Sequence, residues 1–158
     1  MKSSLRSVVV AVAAATLTIG LVPGAVAENI GHQGCTPGYW KNHTDNWEET
    51  NPSVLVGALY ASAPSSVAGL TLAEALNGGG GPGVDGAASI LTRAAVASWL
   101  NAAHEGLGFP WRRHADGLDG RTSLVAAVNE AFASNDRATM LALASELDAD
   151  NNLGCPLN

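Results

Sequence analysis

The stretch GAASILTRAAVASWLNAAH, residues 86–104, decides the fold. Ile90, Leu91, Ala94, Ala97, Leu100 and Ala103 recur three and four positions apart, the period of a helix with one apolar face rather than of a strand. Asp85 stands in front of it as an N-cap, and its alanines let a neighbouring helix approach closely. Toward the C-terminus the same period returns twice. After Thr122 a helix is predicted to run to about Ala133 with Leu124, Val128, Ala131 and Phe132 on one stripe. Ser134-Asn135-Asp136 interrupts it and caps a further helix carrying Met140, Leu143, Ala144 and Leu147, which ends near Asn152 with Gly154 as a left-handed stop before Pro156.

Toward the N-terminus the signals are shorter. Thr71 to Glu74 has the form of a capping box, in which the threonine side chain and the glutamate side chain satisfy each other's backbone N–H groups. Thr36-Pro37 has the form of an N-cap followed by proline at the first helical position, opening a short helix through Tyr39, Trp40 and His43. Ser53 to Tyr60 fits either a helix or a buried extended segment. The run NGGGGPG, residues 77–83, cannot hold regular structure and is expected to be a mobile connection, a plain linker or a binding lid. The whole is predicted to be all-α: a compact helical bundle of about four to six helices with its termini tied by one disulfide.

The disulfide follows from the two ends of the chain. Lys2 and Arg6 precede an apolar run from about Val8 to Val22, Pro23-Gly24 breaks it, and Ala25-Val26-Ala27 supplies small residues for cleavage. Residues 1–27 are therefore expected to be a signal peptide, with a membrane anchor as the alternative if they are not removed, and residues 28–158 a single secreted domain. In an oxidising compartment Cys35 and Cys155, the only cysteines, most simply pair with each other. Closing so long a loop stabilises a fold by roughly 4 to 5 kcal/mol in the chain-entropy description. The competing expectation makes both cysteines metal ligands together with a histidine such as His32.

Removal of 27 residues from 158 leaves 131, and with Lys2 and Arg6 gone the formal charge moves from −6 to −8. An acidic chain of this kind is repelled by phosphate backbones, so nucleic acid is not an expected partner, and membrane contact is expected only through an uncleaved signal segment. No nucleophile elbow, phosphate loop or paired-carboxylate pattern is present, and no cofactor is implied.

Candidate binding residues fall in two clusters. In CTPGYWKNHTDNW, residues 35–47, Tyr39 and His43 lie one helical turn apart, while Trp40 aligns with Trp47. Aromatic faces beside polar tips suit the apolar side of a sugar ring and its hydroxyls; the structural alternative has Tyr39 and Trp40 anchoring the N-terminal segment on the core. In FPWRRH, residues 109–114, Trp111 extends the aromatic set, and Arg112 and Arg113 either clamp an anion or pair with Asp116, Asp119 or a helix C-terminus. These features favour a secreted, non-catalytic envelope or extracellular-matrix protein that binds glycan or another cell-surface component through Tyr39, Trp40, Trp47 and Trp111. One alternative is a metal-dependent or acid–base hydrolase centred on His43, with His104 and His114 and with Lys41, Glu48 or Glu49 as partners. His104 also suits the carbonyl-rich end of the long helix. The other alternative is a protein that self-associates through its helix faces; the sequence does not specify an oligomeric state.

The CTPGYWKNH opening, LTRAAVASWLNAAH (residues 91–104), VNEAFASNDRATMLALASELDADNN (residues 128–152) and the closing GCPLN together resemble a family of secreted bacterial proteins with a CTPGYWKNH-type N-terminal motif and an LGCPL-type end. The resemblance implies an extracellular location, one domain, and cysteine-bearing ends that belong to a single pattern. It carries no assigned activity and transfers no catalytic residues.

Overall fold

A computed structural model describes residues 32–114 and 122–157; the expected signal peptide, and Asp116 and Asp119, lie outside them. The helix predicted from residues 86–104 is the centre of the molecule. It spans Gly83–Asn101 (α5) and buries residues on most of its circumference, from Gly86, Ala87 and Ala88 through Leu91, Val96 and Leu100 to Asn101. Such a helix is a core element rather than a surface helix with one apolar stripe. It starts one turn earlier than expected. Pro82 occupies the N-cap position without a side-chain cap, and Asp85 lies in the first turn, where its carboxylate complements the exposed N–H groups. It also ends at Asn101, before His104, and the Asn101 side chain turns inward to partners outside the helix.

The other helices pack around α5. Pro37–Asn42 (α1) opens under a Thr36 cap whose Oγ1 accepts from Tyr39 N at 3.1 Å. Single turns at Val56–Leu59 (α2) and Ser65–Ala68 (α3) follow, then Leu72–Leu76 (α4), which has the capping box expected of Thr71 and Glu74. Leu124–Ala133 (α6) begins at a Ser123 cap and buries Leu124, Val128, Ala131 and Phe132 as its period requires. Arg137–Asn151 (α7) begins at an Asp136 cap and lies along α5 as its most extensive partner. Of the two forms expected of Ser53–Tyr60 the helix is found, as α2; the residues before it carry an antiparallel bridge between Leu55 and Thr71 but are not a buried segment, Leu55 being exposed.

Seven helices lie among the described residues, more than the four to six expected, because α2 and α3 are four residues each, too short to show a helical period. The fold is also not purely helical. Trp111–Arg112 (β1) and Thr122–Ser123 (β2) pair in parallel, with Trp111 opposite Thr122. Two-residue strands leave no alternation to read.

Cys35 and Cys155 form the disulfide, with their Cα atoms 4.5 Å apart, so they are not thiolate metal ligands. Beside it Gly34 N–H donates to Gly154 O at 3.1 Å, closing an antiparallel bridge between the chain ends. A Cβ at Gly34 would lie 2.2 Å from Asp150 O, so only glycine fits there. Gly154 is left-handed, as predicted, but it serves this bridge; α7 has already ended at Asn151.

The glycine run is anchored rather than loose. Ser89 Oγ donates to Gly79 O, and Arg137 donates to Gly81 O and Gly83 O. Gly86 receives the loop closely, since a Cβ there would sit 2.0 Å from Gly81 O.

Candidate functional site

The N-terminal motif is divided by helix α1 into a face that is buried and a face that is not. Trp40 points inward and is fully buried, and its Nε1–H donates to Asn101 Oδ1 at 3.0 Å. Tyr39 and His43, one turn apart on the other side, stack with ring centroids 4.2 Å apart and an interplanar angle of 12°. His43 Nδ1 lies 2.9 Å from Tyr39 O, and Asn46 Nδ2 donates to the Tyr39 hydroxyl at 2.6 Å. A short 3-10 turn at Thr44–Asn46 then reverses the chain, so that Trp47 Nε1–H reaches back to Trp40 O at 3.0 Å.

This reversal builds a cleft of about 420 Å³ lined by Asp45, Asn46, Trp47, Glu48 and His104, with Pro156 and Leu157 of the C-terminal tail as its other wall. Trp47 is half-buried and the two carboxylates are exposed. The Asp45 side chain has no hydrogen-bond or ion-pair partner among the described residues. His104 fixes the floor. Its Nε2 lies 2.9 Å from Asn46 O, its Nδ1 lies 3.3 Å from Glu48 Oε1, and its ring packs 5.2 Å from that of Trp40. Both ring nitrogens face acceptors, so the imidazolium donates to both while a neutral ring serves one.

The expected four-ring patch of Tyr39, Trp40, Trp47 and Trp111 does not form. Trp111 is only 6% exposed and its Nε1–H donates to Asp150 Oδ2 at 2.8 Å. Burial of large aromatics outweighs display in a chain that has eight aromatic rings of the Phe, Tyr and Trp types. Tyr39 and Trp47 remain accessible in part.

Arg112 and Arg113 are engaged within the protein. Arg112 Nη1 pairs with Glu105 Oε1 at 2.6 Å. Arg113 pairs with Glu49 Oε2 at 2.7 Å, donates to Trp99 O at 3.0 Å near the end of α5, and lies 4.4 Å from the centre of the Trp99 ring. Burial pulls the Arg113 guanidinium below its ordinary pKa range, and the Glu49 carboxylate opposes the shift. The pairing with a helix end was expected; among the described residues the acidic partners are Glu105 and Glu49, while Asp116 and Asp119 lie outside them.

The histidines are distributed rather than convergent. His43 stacks on Tyr39, His104 binds Glu48, and His114 meets the edge of Trp99 at 5.8 Å. Among the described residues no group of three or more His, Cys, Asp or Glu could hold a metal ion. Glu48 and Glu49, expected as partners of His43, serve His104 and Arg113 instead.

What the sequence did not disclose is the polar network beneath the motif. Asn101 Oδ1 accepts from Cys35 N at 2.8 Å and its Nδ2 donates to Cys35 O at 2.9 Å, so one side-chain amide clamps both backbone groups of the disulfide residue. Asn101 Nδ2 also donates to Asn151 Oδ1 at 2.8 Å, Ser98 Oγ donates to the same oxygen at 3.1 Å, and Asn151 Nδ2 donates to Ala94 O at 3.0 Å. Ser98, Asn101 and Asn151 are all fully buried. Their signal in the sequence is a pair of polar residues, Ser98 and Asn101, inside the central, largely buried helix. Compared with family models, with curated proteins and with solved structures, the chain matches none.

Proposed function

We propose that the protein is a secreted, non-catalytic binder of glycan, with the cleft around Trp47 as its site. The observation that carries this is the meeting of a half-buried indole with Asp45, Asn46, Glu48 and His104 around about 420 Å³. Small-molecule sites usually fall between about 300 and 1,000 Å³. An indole offers an apolar surface to the C–H face of a pyranose, and carboxylates accept hydrogen bonds from its hydroxyls. Secretion is supported by the signal-like N-terminal sequence and by the disulfide, which persists in oxidising compartments. No helix among the described residues is long and apolar enough to cross a membrane.

The oxidised protein, applied to a glycan array and to insoluble polysaccharides, is expected to retain a subset of them. Asp45→Ala, at an exposed position, should weaken that retention about tenfold, the cost of a hydrogen bond to a charged group, and Trp47→Ala should abolish it. Absence of any retained glycan, or equal retention by both variants, would rule the cleft out.

A further inference from the structure

A second cavity lies between α5 and α7, lined by none of the residues of the Trp47 cleft. It measures about 230 Å³. Its floor is aliphatic, made by Ile90 and Ala94 of α5 and by Leu141 and Ala144 of α7. Its rim carries one charge of each sign, Arg93 from α5 and Asp148 from α7, with the Ser145 hydroxyl beside them. Neither charged side chain has a hydrogen-bond or ion-pair partner among the described residues, although every other arginine among them is engaged. The remaining wall is Pro37 of α1 and the Gly78–Gly80 segment, held by the Ser89 bond to Gly79 O and, one residue on, by the Arg137 bond to Gly81 O. The N–H groups of Gly79 and Gly80 have no partner among the described residues.

We propose that this cavity binds a free α-amino acid with an aliphatic side chain. The aliphatic floor takes the side chain, which leaves water for an apolar surface. Arg93 and the glycine N–H groups receive the carboxylate, since a guanidinium donates in a fixed fork that matches two carboxylate oxygens. Asp148 and the Ser145 hydroxyl accept from the ammonium group. A ligand lacking either charge leaves one rim residue unpaired, so the zwitterion is selected over its blocked forms.

The test is methyl NMR of the oxidised protein titrated with L-leucine, N-acetyl-leucine and leucinamide. Saturable shifts at Ile90 and Leu141 are expected with leucine, and binding about tenfold weaker with each blocked form. Arg93→Gln should erase the preference over leucinamide and Asp148→Asn the preference over N-acetyl-leucine, both at exposed positions, and Ser145→Leu should fill the cavity and remove binding. Trp47→Ala should leave leucine binding intact, which separates this site from the glycan cleft. No saturable shift with leucine, or equal affinity for all three compounds, would overturn the proposal.

Discussion

Asn101 is the residue on which the N-terminal motif depends. It satisfies the Cys35 N–H, the Cys35 carbonyl and the Trp40 indole N–H, all within the core. A buried polar group left without a partner costs about 1–3 kcal/mol, so Asn101→Ala is expected to destabilise the oxidised protein by about 3 kcal/mol or more in urea unfolding. Asn151→Ala should cost less, and the double variant less than the sum, because both act in one network; additive losses would show the two amides to be independent. The caps at Thr36, Thr71 and Asp136 were legible in the sequence because each bonds to a backbone group three residues away. Asn101 was not legible, since its partners lie 66 and 50 positions distant. The same holds for the cleft. Trp47 and Glu48 stood out in sequence, but only the fold brings His104 and Leu157 to them.

At the scale of elements, period alone located α5, α6 and α7, because each runs for ten residues or more. It could not resolve the single turns α2 and α3 or the paired strands, whose positions are set by the packing of α3 on α5 and of α2 on α3, and by hydrogen bonds between segments. Two helix starts carry a pH dependence. Hydrogen bonds from Thr71 hold the Glu74 carboxyl below its ordinary pKa of 4.5, and hydrogen bonds from Thr139 hold that of Asp136 below 3.8. Both bonds vanish on unfolding, so the folded values are the lower ones. The stabilisation is therefore present above the unfolded values and is lost as pH falls through the folded ones. Melting temperature measured between pH 6 and pH 2 should fall below about pH 4.5, and the fall should be shallower in Glu74→Gln and Asp136→Asn, whose amides still accept but do not titrate. Parallel curves for all three proteins would show that these caps do not contribute to acid sensitivity.

On the scale of the whole molecule, the disulfide joins residues 120 positions apart and also sets the wall of the proposed glycan cleft. Cys155→Ser removes the covalent closure but leaves the Asn101 clamp on the Cys35 backbone, so α1 should remain docked on α5. What is released is the tail beyond α7, held otherwise by the Gly34–Gly154 bridge and by Leu157 against the core. Closing a loop of this length contributes roughly 4 to 5 kcal/mol, which for a domain of this size corresponds to a melting temperature lower by about 15 °C. Helical circular dichroism at 25 °C should persist. Trp47 emission should shift to the red as Pro156 and Leu157 leave the cleft, and retained glycan should be lost with it, while leucine at the α5–α7 cavity still binds. The five readings divide the roles of the bond. Loss of helical signal would make it a condition of folding, and unchanged Trp47 emission would mean that the tail holds its place through Leu157 and the backbone bridge alone.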